Sequence, residues 1–420
     1  MRRLKPSRIP WLGNVPEEWE VMKVGYLLEE INKRSQSGQE EPLSMSQKLG
    51  IVPSKEIEVA NPASSYVGAK IVSTGDLVLN KLKAHLGVFA ISRFNGLVSP
   101  DYAVYRAKEG VSVEFLNYVF HTPSCISEFK RRITGVAVGF NRLYTSDLFK
   151  ISVPLPPLPE QRKITVWLDA ETARIDNVSG KIAREIERLG EWKKSFISEA
   201  VAGRIEVGGR SRQYRDSGIP WLGNVPEAWE VVKISSLYDE RCQKVSERDY
   251  PALSVSKLGV VPQMEHVAKS NDVDNRKLVC KGDFAINSRS DRRGACGIAK
   301  QDGSVSLINI VLKPRSNMDA GYFDWLFHTE AFADEFYKWG HGIDADVWST
   351  HWTMMKKISV PLPPFYEQRE IAALLDAKCA AADAVIAKRK AQLERLDALK
   401  RSLIAEAVTG KKAICQGGVR

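Results

Sequence analysis

The sequence predicts an α+β fold in which one unit occurs twice, each unit being a mixed α/β domain followed by a long helix. Three observations support this prediction. The chain has 420 residues, which is more than one ordinary hydrophobic core accommodates. Segments of its first half recur in its second half, and each half ends in a long stretch with helical periodicity.

The repeat is clearest near the start of each copy. Residues 9–20 (IPWLGNVPEEWE) return as residues 219–230 with one difference, Ala228 in place of Glu18. The string ISVPLPP at residues 151–157 also returns later in the chain, and each copy continues with Glu-Gln-Arg. Because solenoid repeats have periods of roughly 20 to 50 residues, a period this long indicates a duplicated domain.

The middle of each copy is less alike and is predicted to be rich in β-structure. Short β-branched or aromatic runs are bounded there by Gly, Asn, Asp and Pro, which is typical of strands separated by turns. The runs span residues 67–80, 86–93 and 97–106 in the first copy and residues 277–287 and 304–313 in the second. We expect short helices at residues 113–121 and 320–328.

Each copy ends in a predicted long helix. It follows a Pro-rich stop, at residues 154–159 and 361–364, and carries apolar residues at spacings of seven or of three and four, the pattern of a coiled-coil seam. The seam residues are Leu168, Ile175, Val178, Ile182, Leu189, Trp192 and Phe196 in the first helix, and Leu375, Ala382, Val385, Leu393, Leu396, Leu399 and Leu403 in the second. Gly203 and Gly410 stand where a helix C-cap is expected.

An apolar stripe of this kind also occurs on a helix that packs against its own domain. Two features favour pairing of the two helices with each other. Each helix runs for about 45 residues, or ~65 Å at ~1.5 Å per residue, and the chain contains two of them. The sequence thus divides into two mixed domains at residues 1–153 and 208–360, and into helical segments with their Pro-rich stops at residues 154–207 and 361–420.

The composition indicates a globular protein with a polyanionic partner. Lys and Arg total 61 against 51 Asp and Glu, which gives a net charge of +10 and a pI near 9.2, and this points to nucleic acid or an anionic membrane surface. No apolar run approaches the roughly 18 residues of a membrane span, so we expect a soluble, cytoplasmic protein without a membrane partner. The six cysteines lack the spacing of a zinc site or a disulfide framework, and no metal or cofactor is expected.

The repeated motifs resemble those of the DNA-specificity (S) subunits of Type I restriction-modification systems. The resemblance covers the whole chain and rests on residues 214–223 (YRDSGIPWLG), on residues 154–162 (PLPPLPEQR) and on the two-fold repeat. It implies two target-recognition domains, each followed by a helix, with the two helices paired antiparallel as a spacer. The first copy departs from the motif at residues 6–8, and the second has Phe365 and Tyr366 where the first keeps Leu-Pro.

The resemblance also implies a function. An S subunit has no catalytic chemistry of its own and reads a bipartite sequence in double-stranded DNA, one half with each recognition domain. It binds two methyltransferase subunits, and ATP-dependent restriction subunits complete the assembly. Two readers on one face of B-DNA sit about one helical turn, ~34 Å, apart. We therefore expect the paired helices to act as a ruler that sets the spacer between the half-sites.

Candidate DNA contacts are polar residues that lie at matching places in both copies but differ between them. Such side chains contact phosphates and base edges. One group follows a Gly-Asp turn, and the other precedes the Pro-rich stop. The candidates are Lys81, Lys83, His85, Arg131, Arg132, Asn141 and Arg142 in the first copy, and Ser288, Arg289, Arg292, Arg293, Lys338, His341, Trp348 and His351 in the second. For any single residue the alternative is a solvated surface charge.

Two other classes of function stay open at this stage. A coiled-coil adaptor whose duplicated domains bind proteins would explain the repeat without DNA readout. A nuclease could use His341, Asp344, Asp346 and His351, but the aligned segment of the first copy has no equivalent acids. The sequence has neither a Walker-type phosphate loop nor the Asn-Pro-Pro-aromatic motif that an amine methyltransferase needs.

Four tryptophans occupy matching positions in the repeated motif. They are Trp11 and Trp19 in the first copy and Trp221 and Trp229 in the second. Side chains that stacked on the bases of unlike half-sites would be expected to differ between the copies. Their strict repetition favours a shared structural role.

Overall fold

The structure is a computed structural model, which describes residues 3–47, 49–57, 65–134, 141–209, 212–263, 273–315, 318–341 and 348–414. The chain forms two compact units. The first comprises Met1–Ala183 with Ala391–Arg420, and the second comprises Arg184–Lys390. Both boundaries fall inside long helices, so each unit contains one mixed domain together with part of each long helix.

The mixed domain of the first unit is built from short antiparallel strands. They are β1 (Leu4–Pro6), β2 (Asn14–Pro16), β3 (Glu20–Lys23), β4 (Leu28–Glu30), β5 (Leu43–Ser46), β6 (Gly50–Pro53), β7 (Lys70–Val72), β8 (Leu77–Asn80), β9 (Phe89–Ile91), β10 (Gly96–Val98), β11 (Tyr102–Ala107) and β12 (Ser152–Leu155). A four-stranded sheet has the order β4-β11-β8-β9, and the other strands form the pairs β1-β2, β3-β12, β5-β6 and β7-β10. The predicted run at residues 67–80 thus contains two strands that belong to different sheets.

The helices of this domain pack on the four-stranded sheet. They are α1 (Val24–Leu27), α2 (Val113–Phe120), α3 (Pro123–Arg132) and α4 (Thr145–Leu148), and the long helix α5 (Leu158–Val201) follows β12. Helix α2 lies where the sequence predicts a helix, whereas α3 was not predicted. Thr122 begins α3 by accepting a hydrogen bond on its hydroxyl from the Cys125 amide at 3.3 Å, as an N-cap does. Trp19, Phe120 and Phe129 lie in the core of this unit.

The mixed domain of the second unit repeats this topology with one added strand, which turns one of the strand pairs into a three-stranded sheet. Its strands are β13 (Tyr214–Asp216), β14 (Asn224–Pro226), β15 (Glu230–Lys233), β16 (Tyr238–Glu240), β17 (Lys244–Val245), β18 (Leu253–Ser256), β19 (Gly259–Pro262), β20 (Arg276–Val279), β21 (Phe284–Asn287), β22 (Cys296–Ile298), β23 (Gly303–Val305), β24 (Asn309–Pro314) and β25 (Ser359–Leu362). The four-stranded sheet has the order β16-β24-β21-β22, which corresponds strand for strand to β4-β11-β8-β9. The helices are α6 (Ala320–Phe327), α7 (Glu330–Lys338), α8 (Trp352–Met355) and the long α9 (Phe365–Val408).

Buried and half-buried positions recur along both long helices at alternating spacings of four and three, which is the heptad of a coiled coil. They are Leu168, Thr172, Ile175, Ser179, Ile182, Ile186, Leu189, Lys193, Phe196 and Ala200 in α5, and Leu375, Cys379, Ala382, Ile386, Arg389, Leu393, Leu396, Lys400, Leu403 and Ala407 in α9. Each α9 position lies 207 residues after its α5 counterpart. No helix in the described ranges is both long and apolar enough to cross a membrane.

Contacts across the helix pair in the first unit run antiparallel. Lys400 Nζ donates to both carboxylate oxygens of Asp176 at 2.7 Å. Four residues beyond the end of α9, the Lys412 ammonium lies 5.3 Å from the ring centroid of Trp167. The residue number therefore rises along the α9 side of the pair as it falls along α5. The antiparallel pairing that the resemblance implied is therefore confirmed in this unit.

The helix pair of the second unit has the same arrangement. Lys193 Nζ donates to the Asp383 carboxylate at 2.6 and 2.8 Å, and Arg389 Nε lies 3.1 Å from Glu185 Oε2. Lys193 and Asp383 are the counterparts, 207 residues away, of Lys400 and Asp176. Arg389 interrupts the apolar stripe in the sequence, and its pairing with Glu185 explains how the seam accommodates a charge.

Four residues that the sequence assigned to the seam lie beside it instead. Val178, Trp192, Val385 and Leu399 have 40–48% of their surface exposed. The neighbouring positions that face the partner helix include polar residues such as Lys193, whose long apolar stem packs while its ammonium reaches an acid. A search for apolar residues alone selects the wrong neighbour at these places.

The end of each long helix completes the core of a mixed domain. In the first unit Val408 joins the core, and a Cβ added to Gly410 would lie 2.4 Å from Pro16. In the second unit a Cβ added to Gly203 would lie 2.6 Å from Pro226. Both glycines also have positive φ values, +73° and +74°, so the helix ends need glycine for backbone conformation and for close approach.

Candidate nucleic-acid interface

The two groups of candidate DNA contacts in the first unit lie side by side. The segment after β8 and the segment before α4 are joined by the Leu143 amide, which donates to the Lys81 carbonyl at 2.9 Å. Thr134 and Arg142 exchange backbone hydrogen bonds of 3.1 and 2.9 Å. The structure therefore brings residues about 60 positions apart in sequence onto one surface. The first reading surface is defined as Lys81, Lys83, His85, Arg131, Arg132, Asn141 and Arg142.

The second unit brings its candidate groups together by the same bonds. The Thr350 amide donates to the Ser288 carbonyl at 2.9 Å, and His341 and Ser349 exchange backbone hydrogen bonds of 3.1 and 3.3 Å. The Ser290 amide also donates to the Trp348 carbonyl at 2.9 Å. The second reading surface is defined as Ser288, Arg289, Arg292, Arg293, Lys338, His341, Trp348 and His351.

The two reading surfaces share a backbone frame but differ in side chains. Each bond that joins the segments in the first unit recurs 207 residues later, so the positions match one to one. The matched pairs, first unit before second, are Lys81 with Ser288, Asn141 with Trp348, Arg142 with Ser349, and Tyr144 with His351. Tyr144 was missed in the sequence, although its alignment with His351 was available as a signal. Tyr144 and His351 are the N-caps of the short helices α4 and α8.

A Gly-Asp turn precedes the strand that leads to each surface, β8 in the first unit and β21 in the second. Gly75 and Gly282 have φ values of +91° and +90°, and the buried Asp that follows accepts a backbone amide three residues back, at 2.9 Å for Asp76 and 2.8 Å for Asp283. An arginine completes each turn with two bonds to the carboxylate, Arg106 in the first unit at 2.9 and 3.0 Å and Arg241 in the second at 2.6 and 3.1 Å.

These bonds raise the pKa of both guanidinium groups, so each arginine stays charged. Arg106 lies on the sheet strand β11 and Arg241 follows β16. The arginines that neutralise the equivalent residues Asp76 and Asp283 therefore come from different parts of the sheet in the two units. Both turns are fixed by two bonds from an arginine to the Asp carboxylate, although the two arginines do not occupy equivalent positions in the repeat.

The charges of the first surface are partly engaged. Arg131 and Arg132 both pair with the buried carboxylate of Glu128 at the end of α3. Arg142 lies 3.3 Å from Asp101. Lys81 lies 3.8 Å from Glu30, and the exposed Lys83 makes no ion pair with the described residues. Lys83 is therefore the cation of this surface that is most available to a phosphate.

The charges of the second surface are more strongly paired. Asp291 lies 3.0 Å from Arg289 and 3.7 Å from Arg292, and Arg293 pairs with Asp334. Lys338 lies 3.6 Å from Glu335. His341 and His351 are exposed, as is the indole of Trp348. A phosphate or base edge that binds an arginine here must compete with a carboxylate.

The repeated tryptophans fulfil the structural role that the sequence predicts. Trp19 and Trp229 are fully buried, and their indole N–H groups donate to Glu160 at 3.0 Å and to Glu367 at 2.8 Å. These acids are the first residues of the Glu-Gln-Arg motif. The structural prediction is confirmed for these two tryptophans, whereas Trp11 and Trp221 are half-buried against the cores.

The glutamine of the Glu-Gln-Arg motif has an equally clear structural role. Gln161 accepts from the Ser112 amide at 2.8 Å and donates to the Pro156 carbonyl at 2.8 Å. Gln368 does the same with Asp319 and Pro363. It thereby joins the start of each long helix to the start of α2 or α6. The arginine is different, because Arg162 and Arg369 are exposed and make no side-chain hydrogen bond or ion pair with the described residues.

The structure offers little to the nuclease interpretation. His341 and His351 belong to the second reading surface, and Asp344 and Asp346 lie outside the described residues. Among the residues that are described, no group of three or more His, Cys, Asp or Glu side chains is placed to hold a metal ion.

Comparisons with known proteins give a consistent result. Residues 16–188 match the family model described as the Type I restriction modification DNA specificity domain. The Type I restriction enzyme MjaVIII specificity subunit of Methanocaldococcus jannaschii is 23% identical, over 94% of this chain and 93% of its own length. A solved HsdS subunit from Thermoanaerobacter tengcongensis superposes with a TM-score of 0.52 at 16% identity and covers 95% of this chain and 98% of its own.

A second solved structure agrees better in fold. It comes from work on complex assembly and conformational transition of the type I R-M system, and its matching chain superposes with a TM-score of 0.70 at 17% identity. The superposition covers 95% of this chain and 99% of the other. The shared fold therefore extends over both mixed domains and both long helices.

Proposed function

We propose that the chain is a DNA-specificity subunit of a Type I restriction-modification system and that each of its two mixed domains reads one half of a bipartite DNA sequence. The pair of reading surfaces supports this proposal. The same backbone bonds build both surfaces, while the side chains at matched positions differ. Two domains that bind different half-sites are expected to share a backbone framework and to differ in the side chains that contact the bases. The recognition domains in this proposal are residues 1–153 and 208–360.

The side chains of the two surfaces suit different bases. Asn141 of the first surface can pair with adenine, since amide side chains match its major-groove edge, and Lys81 and Arg142 can contact phosphates. The second surface offers arginines, which match guanine, and the exposed Trp348, which makes apolar contacts. Each half-site is thereby read by a distinct set of groups.

The chain acts as one subunit of a Type I complex, and we propose that two methyltransferase subunits dock on it, one on each unit. The docking residues are exposed positions that are identical in both copies, because a partner present twice needs the same surface twice. Arg162 and Arg369 form one such pair, and Val178 and Val385 on the flanks of the long helices form another. Within the described residues, none of these four side chains has another evident structural role.

In this proposal the chain itself catalyses no reaction and holds no cofactor. Methyl transfer and ATP-dependent restriction belong to partner subunits. The chain contributes the DNA sequence preference and, through the paired long helices, the spacing between half-sites. Each of these helices contains 44 residues.

Methylome sequencing of cells that express this chain with its methyltransferase subunit tests the proposal. The wild-type complex should methylate one bipartite sequence. A variant carrying Lys81→Ser, Asn141→Trp, Arg142→Ser and Tyr144→His gives the first surface the residues of the second. It should lose the original first half-site, with methylation slower by about 100-fold or more, and keep the second half-site.

The matched control is the reverse exchange in the second surface, Ser288→Lys, Trp348→Asn, Ser349→Arg and His351→Tyr, which should alter only the second half-site. Tyr26→Ser, which introduces the residue found at the equivalent Ser236, should alter neither half-site. If one exchange changed both halves, the assignment of one domain to each half-site would be wrong.

A further inference from the structure

Each mixed domain presents an exposed leucine at the tip of a β-hairpin. The hairpins are β5-β6 in the first unit and β18-β19 in the second, and they pair in the same register. Leu49 is 63% exposed and Leu258 is 86% exposed. Hairpin tips normally carry Gly, Asn, Asp or Pro, so a leucine that points into solvent in both copies calls for an explanation.

The hairpin loop has three residues in the first unit and two in the second, but both tips are anchored on their domains. The hydroxyl of Ser46 accepts from the Leu49 amide at 3.4 Å, and that of Ser256 accepts from the Leu258 amide at 3.1 Å. A glycine follows each leucine and packs on the sheet strand β9 or β22. In the second unit this packing is so close that a Cβ on Gly297 would lie 2.6 Å from the Gly259 Cα. The leucines are therefore held out from a fixed support.

The tip is continuous with the DNA-reading surface in the first unit. Gln47, at the same tip, donates from Nε2 to the Leu86 carbonyl at 2.9 Å. Leu86 ends the short helical turn Ala84–Leu86, which includes His85 of the first reading surface. In the second unit the tip packs on β22, which follows the segment that carries Arg289, Arg292 and Arg293. A ligand that covers the reading surface therefore reaches the tip.

The tip differs from the reading surface in one respect. Matched positions of the two reading surfaces carry different residues, whereas both tips have the sequence Lys-Leu-Gly. A contact that stays the same for two unlike half-sites must address something common to both. The continuity of the tip with the reading surface favours DNA over a protein partner. Because leucine cannot bind a phosphate, the stacked bases are the apolar feature of duplex DNA that it can contact in both half-sites.

We propose that Leu49 and Leu258 are apolar wedges that enter the base stack of duplex DNA, one in each half-site. This proposal rests on the proposed function and adds a residue to it. Groove-binding proteins insert leucine and similar side chains between base steps, and methyltransferases take their target base out of the stack. Because one methyltransferase acts at each half-site, both half-sites need the same opening of the stack, and the wedge fills the space that the extruded base leaves.

The test uses the full chain assembled with its methyltransferase subunits and a duplex that carries the bipartite sequence found by methylome sequencing. 2-Aminopurine is placed beside the methylated base of one half-site at a time, because its fluorescence rises on unstacking. Leu49→Ala should reduce the rise in the first half-site alone, and Leu258→Ala in the second alone. Each variant should weaken duplex binding by about tenfold. The salt dependence of binding should keep its slope, since no phosphate contact is lost.

Two controls separate this role from others. Leu49→Met and Leu258→Met keep an apolar wedge and should retain the fluorescence rise, and Tyr26→Ser removes an exposed side chain elsewhere. If the alanine variants bound and unstacked the duplex like wild type, the wedge would be refuted. The wedge would also be refuted if the alanine variants were defective only in assembling with the methyltransferase without DNA. That result would assign the tips to protein docking. A wild-type complex without a bipartite methylation pattern would instead count against the proposed function.

Discussion

The two reading surfaces have the same frame but differ in how many of their cations are paired with a carboxylate. In the first, Lys83 makes no ion pair with the described residues, and Lys81 is 3.8 Å from the nearest carboxylate. In the second, Asp291 holds two arginines and Asp334 holds a third. An unpaired lysine such as Lys83 can bind a phosphate with little reorganisation, whereas a paired arginine must first give up its contact with a carboxylate. If both surfaces bind DNA as proposed, the second should have the lower affinity for DNA and the higher discrimination between sequences.

The frame beneath the surfaces is conserved between the copies to a much finer degree. The Trp–Glu bond, the Gln bridge to the next helix and the heptad positions of α5 and α9 all recur. A change in the frame should therefore affect both half-sites or their spacing, and a change in a surface should affect one half-site. The following predictions test this difference in order of decreasing effect.

The largest effect is expected from lengthening both long helices by one heptad. Seven residues inserted after Ile186 and again after Leu393, which are equivalent positions, keep the alternating seam spacing in both helices. The paired long helices should become longer by roughly 10 Å. This length corresponds to about three base pairs of DNA at ~3.4 Å each. Methylation should be lost at the original spacing and appear at a longer one, as read by methylome sequencing.

The control for this change is the same insertion in one helix only. It shifts one seam against the other and should break ion pairs such as Lys400 with Asp176. The complex should then lose methylation without acquiring a new spacing. If the double insertion kept the original spacing, the ruler would be disproved.

A smaller effect should distinguish the two surfaces by their salt dependence. Lys81→Ala with Lys83→Ala should weaken duplex binding about tenfold and lower the slope of log affinity against log salt by up to roughly 1.8, about 0.9 for each phosphate contact. In the second surface Asp291→Asn removes the competing carboxylate and should strengthen binding, by about threefold. Fluorescence titrations at several salt concentrations measure both effects. Weaker binding by the Asp291 variant would show that this acid positions the arginines for DNA.

The sequence predicted the frame better than the surfaces because the frame depends on local pattern. The long helices, α2 and α6 follow from periodicity. Helix α3 was missed although Thr122 is a recognisable N-cap. The seam phase was partly misassigned because Val178 and Trp192 are apolar, whereas the positions that face the partner helix include Lys193.

The meeting of the two candidate groups on one surface could not be predicted from sequence. It depends on contacts such as the bond from the Leu143 amide to the Lys81 carbonyl, and no local rule supplies a pairing of that sequence separation. The same holds for Val408, which completes the core of the first unit from the far end of the chain.

The smallest effect is expected within the frame and compares two tryptophans of one repeated motif. Trp229→Phe removes the N–H that donates to the buried Glu367 at 2.8 Å, and it should lower the free energy of unfolding by about 2 kcal/mol, since hydrogen bonds to charged groups contribute more than neutral ones. Trp221→Phe should cost about 1 kcal/mol or less, because the Trp221 indole nitrogen is buried without a hydrogen-bond partner among the described residues. Denaturant unfolding measures the difference, and equal losses would show that ring volume, rather than the bond to the Glu-Gln-Arg motif, fixes these tryptophans.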